Sequence, residues 1–165
     1  GKTIDELDWG RKLSVYVVKL RRGSTQVVLP EPKTKIKEGD KLYIIGDDSS
    51  LQTFYKTLNL GAPDKFRTLK EFMETGYPDT EHALACTPIK VRGNEDYAGK
   101  PIKHSKIRSR EHCWILGIQR KGYAVTMPGA NMLIEKGDIL WVIGLNNNIG
   151  KLASRSVGRK GVHND

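Results

Sequence analysis

The sequence lacks the marks of several large protein classes. No apolar run approaches the ~20 residues that a membrane-spanning helix needs. The opening residues do not carry the pattern of a secretory signal. Cysteine occurs twice, as Cys86 and Cys113, each in an apolar run and without paired spacing. That argues against a disulfide framework or a thiolate zinc motif and predicts buried free thiols in a reducing compartment. The histidines, His82, His104, His112 and His163, lack the spacing of a metal-binding helix or loop. His104 with His112 and Cys113 is the one arrangement that could approach an ion, and no metal is expected. There is no P-loop, no dinucleotide-type glycine loop and no Ser-His-Asp order. No catalytic residue is therefore named, and the chain does not read as an enzyme.

Acid is the scarcer charge: 19 Asp and Glu stand against 28 Lys and Arg, a formal net charge of +9. The imbalance is local. Residues 99–122 hold seven Lys or Arg together with His104 and His112, against Glu111 alone. Such a stretch is either a solvated face or a site for an anionic partner, whether nucleotide, nucleic acid or acidic lipid. Tyr43, Trp114 and Trp141 fall inside strand patterns and read as core rather than as stacking platforms. That favours a compact phosphate ligand over nucleic acid.

What is present is a repeat. GDKLYIIG at Gly39–Gly46 returns as GDILWVIG at Gly137–Gly144, 98 residues later. Gly39-Asp40 and Gly137-Asp138 form tight turns, Gly by its access to positive φ and Asp by bonding backbone just ahead. The apolar residues that follow read as a strand buried on both faces. Gly46 and Gly144 then let the chain leave in a new direction. At the same offset Gly1, Lys2 and Ile4 fall on Gly99, Lys100 and Ile102, Arg22 on Arg120, Val27 on Val125, Pro30 on Pro128 and Ile36 on Ile134. The turn glycines Gly23 and Gly122 slip by one. This is an internal duplication. Small domains bury little core alone, so the copies are expected to pack on each other or on a second chain.

The pattern predicts a short helix over 1–12, a strand over 13–20, a turn at Arg21-Arg22-Gly23-Ser24 and a returning strand over 25–29 stopped by Pro30. The third strand follows the Gly39-Asp40 turn. A helix then carries the apolar stripe Leu51, Phe54, Tyr55 and Leu58. Phe66, Leu69 and Met73 predict a second helix, a connector without counterpart in the second copy. A strand over 83–91, interrupted by Pro88, belongs at a sheet edge. A weak helix runs from Asn148 to about Ser156, ahead of a disordered tail. The second copy has a strand before its Gly-Lys-x-Ile opening and the first does not, so an upstream strand is expected to be missing from this piece. The divisions are 1–58, 59–82, 83–157 and 158–165.

The ordered set of Gly-Lys-x-Ile opening, apolar strand ending in Arg, Pro-terminated strand and Gly-Asp-x-Leu-x-x-Ile-Gly, found twice, resembles the C-terminal domain of the regulator of potassium conductance family (TrkA C-terminal domain, RCK_C). The resemblance covers about residues 1–55 and 83–155. It implies two tandem α/β domains of the α+β type, each a mostly antiparallel sheet flanked by helices, that dimerise on the cytoplasmic side of potassium channels and ion transporters. Some family members bind cyclic di-AMP at the interface of two such domains. By similarity the ligand would meet Leu20, Arg21, Arg22, Val28 and Pro30 in the first copy, and Ile118, Gln119, Arg120, Thr126 and Pro128 in the second. Gln119 stands where Arg21 does and Thr126 where Val28 does, so a symmetric ligand fits better across two chains, copy against equivalent copy. The resulting expectation is a regulatory module of a membrane ion transporter, partnered by the membrane-embedded part and by a second chain, with a small anionic ligand, no further cofactor and no nucleic acid. The alternative is a dimerisation scaffold with no ligand.

Overall fold

The computed structural model describes residues 1–60 and 84–155. The expected connector helix and the tail lie outside the described residues. The chain divides into two compact units, Gly1–Phe72 and Met73–Asp165. Each is a small antiparallel sheet with short helices, which is the α+β architecture expected.

In the first unit Thr3 opens α1 (Ile4–Leu7) with a capping box. Its hydroxyl accepts the Glu6 N–H at 3.1 Å, and the Glu6 carboxylate accepts the Thr3 N–H at 2.7 Å, so two orphan donors are satisfied at once. The chain then turns left-handed at Asp8 (φ 52°) and enters α2 (Trp9–Leu13). The single helix expected over 1–12 is thus two. The Asp8 N–H closes α1 on the Ile4 carbonyl, and Asp tolerates the left-handed backbone better than most residues. Then come β1 (Tyr16–Arg22), β2 (Thr25–Val28), β3 (Lys41–Ile45) and α3 (Asp48–Thr57). The sheet order is β2-β1-β3. Asp47 caps α3 by accepting the Ser50 N–H at 2.7 Å. Leu51 and Phe54 of that stripe are buried on Val15, whereas Leu58 caps the helix and is exposed. Trp9 meets Phe54 edge to face, with centroids 5.0 Å apart.

The second unit runs β4 (Leu84–Lys90), α4 (Ile102–Ser105), α5 (Ile107–Glu111), β5 (Trp114–Arg120), β6 (Tyr123–Thr126), β7 (Ile139–Leu145) and α6 (Asn146–Ala153). The sheet order is β4-β7-β5-β6. β4 is an edge strand, as Pro88 predicts, with Pro88 opposite Trp141. α6 starts two residues before the expected Asn148. Ile107, Ile118, Ile134, Leu140, Val142 and Leu152 centre the core of this unit. Among the described residues β3 pairs only with β1, whereas β7 pairs with both β5 and β4.

The duplication extends to the backbone. Left-handed residues other than glycine recur as Asp8 and Lys106, Ser14 and His112, Leu29 and Met127. β1 slips its register on β3 between Val17 and Lys19, and β5 on β7 between Ile115 and Gly117. Isolated bridges join Thr3 to Lys35 and Pro101 to Leu133. Every pair lies 98 residues apart. Gly39 and Gly137 have the positive φ expected of them, 86° and 91°. Gly46 and Gly144 do not, and Gly144 lies inside β7. Their requirement is room: a Cβ on Gly46 would stand 3.1 Å from the Ser14 carbonyl oxygen, and one on Gly144 2.8 Å from the Cys113 sulfur.

Candidate functional site

Arg21 and Arg22 were expected in a turn. They lie inside β1, and the turn is Gly23-Ser24; in the second unit it is Lys121-Gly122. The glycine moves from first to second place in an otherwise equivalent two-residue turn, which accounts for the slip between the copies. The strand therefore carries both arginines up to the hairpin tip.

Arg22 ends β1 and reaches the Gly-Asp turn that opens β3. Its Nε donates to Asp40 Oδ1 at 2.7 Å, and its Nη2 donates to Asp40 Oδ2 at 2.6 Å and to the Lys35 carbonyl at 3.0 Å. The Lys37 N–H also donates to Asp40 Oδ2, at 2.8 Å. The second unit repeats the arrangement. Arg120 Nε and Nη2 donate to the two oxygens of Asp138, both at 2.8 Å, Nη2 also donates to the Leu133 carbonyl at 2.8 Å, and the Glu135 N–H donates to Asp138 Oδ2. Arg120 Nη1 donates further to the Tyr123 hydroxyl at 3.2 Å. Paired forks of this kind are stronger and more directional than single hydrogen bonds. Both aspartate side chains are 1% exposed, while Arg22 is 42% and Arg120 20% exposed. The carboxylate is the buried anchor and the guanidinium is its lid.

The electrostatics agree. The hydrogen bond from Arg22, then that from the Lys37 N–H, hold Asp40 down to about 2. Burial pushes Asp138 up, but the hydrogen bonds from Arg120 and the Glu135 N–H outweigh it and leave it below the usual carboxylate range. Both groups are ionised acceptors at neutral pH, neither general acids nor bases. The Gly-Asp turn is thus also a counter-charge. The signal for it was in the sequence: Arg and Asp stand 18 residues apart in each copy.

The structure sorts the remaining ligand candidates. The Leu20 and Ile118 side chains are buried, as is Pro30, while Val28 and Pro128 are half-buried and Arg21, Gln119 and Thr126 are exposed. Val28 lies two rungs along the β1–β2 ladder from Arg21, and Thr126 two rungs along the β5–β6 ladder from Gln119. Arg21 Nε donates to the Gly23 carbonyl at 3.1 Å; among the described residues it meets no carboxylate. Nothing in the strand pattern marks Lys19 as buried, yet it is, with its Nζ 4.9 Å from the Tyr43 ring centre. Burial pushes the Cys86 and Cys113 thiols up to about 12. Among the described residues no group of three or more His, Cys, Asp or Glu is placed to hold a metal ion, and no helix is long and apolar enough to cross a membrane.

Comparison with known proteins gives these residues a context. A Dichelobacter nodosus protein named for a role in transport is 26% identical over 141 residues, which span 86% of this chain and 23% of that relative. The RCK_C domain dimer of S. agalactiae BusR, solved in complex with cyclic di-AMP, is 24% identical with a TM-score of 0.43, covering 47% of this chain and 96% of that one. The RCK C domain of the potassium transport protein KtrA, also solved with cyclic di-AMP, is 28% identical with a TM-score of 0.40, covering 43% and 81%. The TrkA-C domain matches at residues 1–59 and again at 89–156, the two stretches that carry the repeated clasps. The chain belongs to the TrkA-C domain family.

Proposed function

We propose that this chain is the ligand-sensing and dimerising module of a membrane ion transporter or channel, moving potassium or another cation, and that it works on the cytoplasmic side. Its ligand is cyclic di-AMP, held between the first copies of two chains. Family membership supports the transport role. The observation that carries the ligand reading is the division of labour in the first hairpin. Arg22 is engaged by Asp40 and fixes the strand end, which leaves Arg21 exposed beside it with no carboxylate among the described residues to neutralise it. Two such arginines, one from each chain, present the paired cations that a two-fold ligand with two phosphates requires. Val28, two rungs from Arg21 on the same face of the strand pair, would offer it an apolar neighbour. Binding would favour one arrangement of the dimer and so bias transport. In the second copy Gln119 replaces the free cation, and Arg120 is engaged by Asp138.

A thermal shift assay with cyclic di-AMP tests this. Ligand at 100 times its Kd adds roughly 2.7 kcal/mol of stability. Arg21→Gln, which installs what the second copy already carries, should abolish the shift and leave the unliganded protein folded. The engagement of both Arg22 and Arg120 within the chain favours one second reading, a scaffold without a ligand. It predicts a stable dimer that no cyclic dinucleotide stabilises.

A further inference from the structure

We propose that the solvent face of α4 and α5 is a docking surface for an anionic phospholipid bilayer. It carries Lys100, Lys103, His104, Lys106, Arg108 and Arg110, all exposed. Among the described residues Lys100, Lys103 and Lys106 make no ion pair. Arg108 lies over the Trp114 ring at 5.0 Å, and Arg110 meets Asp96 at 3.2 Å. Glu111 is the acid of this stretch; it is buried, turned to Arg155 at 3.1 Å and 4.0 Å from Arg110, and so leaves the lysines of the face without a counter-charge.

The first unit supplies an internal control. α1 and α2 have the fold of α4 and α5, with the same left-handed break and the same bridge to the following loop. Yet the positions of Lys103, His104 and Lys106 are there Asp5, Glu6 and Asp8. Two of those acids have local tasks: Glu6 completes a capping box and Asp8 accepts from Arg11 at 2.7 Å. α4 lacks that arrangement. Its N-cap is Pro101, which makes no side-chain cap bond, and Lys103 and His104 lie in the last turn of this four-residue helix. The same fold thus carries acids at these positions in one copy and bases in the other, so it does not demand the positive charge. An external anion would give these exposed lysines a counter-charge.

Several features select a bilayer over a nucleic acid. Helices of four and five residues are too short to lie along a groove. Of the exposed large hydrophobics among the described residues, Leu58, Leu60 and Tyr123 lie outside this stretch and Leu133 borders it through its bridge to Pro101, so the face carries no cluster of exposed aromatics of the kind that stacks on successive bases. Lysines on a broad face suit a plane of headgroups. The choice also rests on the proposed role as a transporter module, which brings a bilayer within reach. Each Lys or Arg near an acidic membrane contributes roughly a fivefold gain in binding, screened by salt.

The test is sedimentation of the whole chain with vesicles of phosphatidylglycerol and phosphatidylcholine, against pure phosphatidylcholine. The wild type should bind the acidic vesicles selectively and lose them at high salt. Lys103→Asp with Lys106→Asp, residues that the first copy shows this fold accepts, should weaken binding on the order of 100-fold. Lys33→Glu with Lys37→Glu makes the same change in net charge on the other unit and should leave binding within a few-fold. Circular dichroism confirms that each variant is folded. Equal binding to both vesicle types, equal loss in the two variants, or tighter binding to a DNA duplex than to vesicles at the same salt would each overturn the proposal. None of these outcomes bears on cyclic di-AMP, whose assay uses no lipid and a different residue.

Discussion

Arg120 and Asp138 meet fork to fork, Nε on Oδ1 and Nη2 on Oδ2, both at 2.8 Å, across 18 residues of chain. The guanidinium also reaches the Leu133 carbonyl and the Tyr123 hydroxyl. One side chain thus joins the end of β5, the start of β6, the loop before β7 and the turn that opens β7. The hairpin tip cannot move without breaking several charge-assisted bonds, and a buried carboxylate would be stranded if it did.

Asp138→Asn should therefore destabilise the second unit by about 2–3 kcal/mol, because an amide cannot accept from both forks and one donor is left unmatched. Arg120→Lys keeps the charge but loses the fork and the Leu133 bond, and should cost a similar amount. Urea denaturation followed by Trp114 and Trp141 emission reports on this unit, since both tryptophans lie in it. The equivalent Asp40→Asn should cost less, because its lid, Arg22, is the more exposed of the two arginines.

The pH dependence has a definite sign. Asp40 titrates at about 2 in the folded chain, against about 3.9 when unfolded. The folded state therefore binds fewer protons than the unfolded chain, and the stabilisation is complete above about pH 4. It is lost as pH falls from there towards 2. In Asp40→Asn this part of the acid transition should be missing, giving a flatter stability profile between pH 5 and 2 when Trp9, in the same unit, is the probe.

Leu29 and Met127 hold the left-handed region at φ 48° and 51°, each immediately before the proline that ends the return strand. Each also gives its N–H to the central strand, Leu29 to the Val18 carbonyl and Met127 to the Leu116 carbonyl, both at 2.7 Å. That bond holds a backbone which an unbranched side chain tolerates and a β-branched one resists. Met127→Val should destabilise by about 1–2 kcal/mol, whereas Met127→Gly should be near neutral, strain relief offsetting the lost side-chain contacts. Thermal melts of the three proteins should rank glycine with methionine, and valine below both.

Much of the fold was legible because the chain states it twice. The strand pattern, the Gly-Asp turns and the edge position of β4 all follow from local chemistry repeated at one offset. Errors arose where local chemistry was silent or where partners were remote. Nothing in the run from Ile4 to Leu13 marks the break at Asp8, since the residue adopting the left-handed turn is neither Gly nor Pro. The Arg22–Asp40 clasp depends on β1 pairing with β3, a register no single stretch displays. Arg22, read from the sequence only as a ligand contact, also engages Asp40, and Arg21 is exposed beside it.

Gly46 and Gly144 show the same limit from another side, and they yield a coupling that can be measured. They read as places where the chain changes course, yet their φ is ordinary and their role is contact. In the second unit that contact is with the Cys113 sulfur, which a Cβ on Gly144 would approach to 2.8 Å. Cys113 is fully buried and its side chain is too short to swing away. Gly144→Ala should therefore destabilise by about 1–3 kcal/mol, the usual cost of overpacking. Cys113→Ala alone should be mildly destabilising through the lost sulfur contacts. The double variant should be more stable than the sum of the two changes, because removing the sulfur makes room for the added methyl. A double-mutant cycle in urea should give a favourable coupling of at least about 0.5 kcal/mol, above the usual error of additivity. Strict additivity would mean that the two residues do not touch, and that the glycine of this repeated motif is needed for some reason other than room.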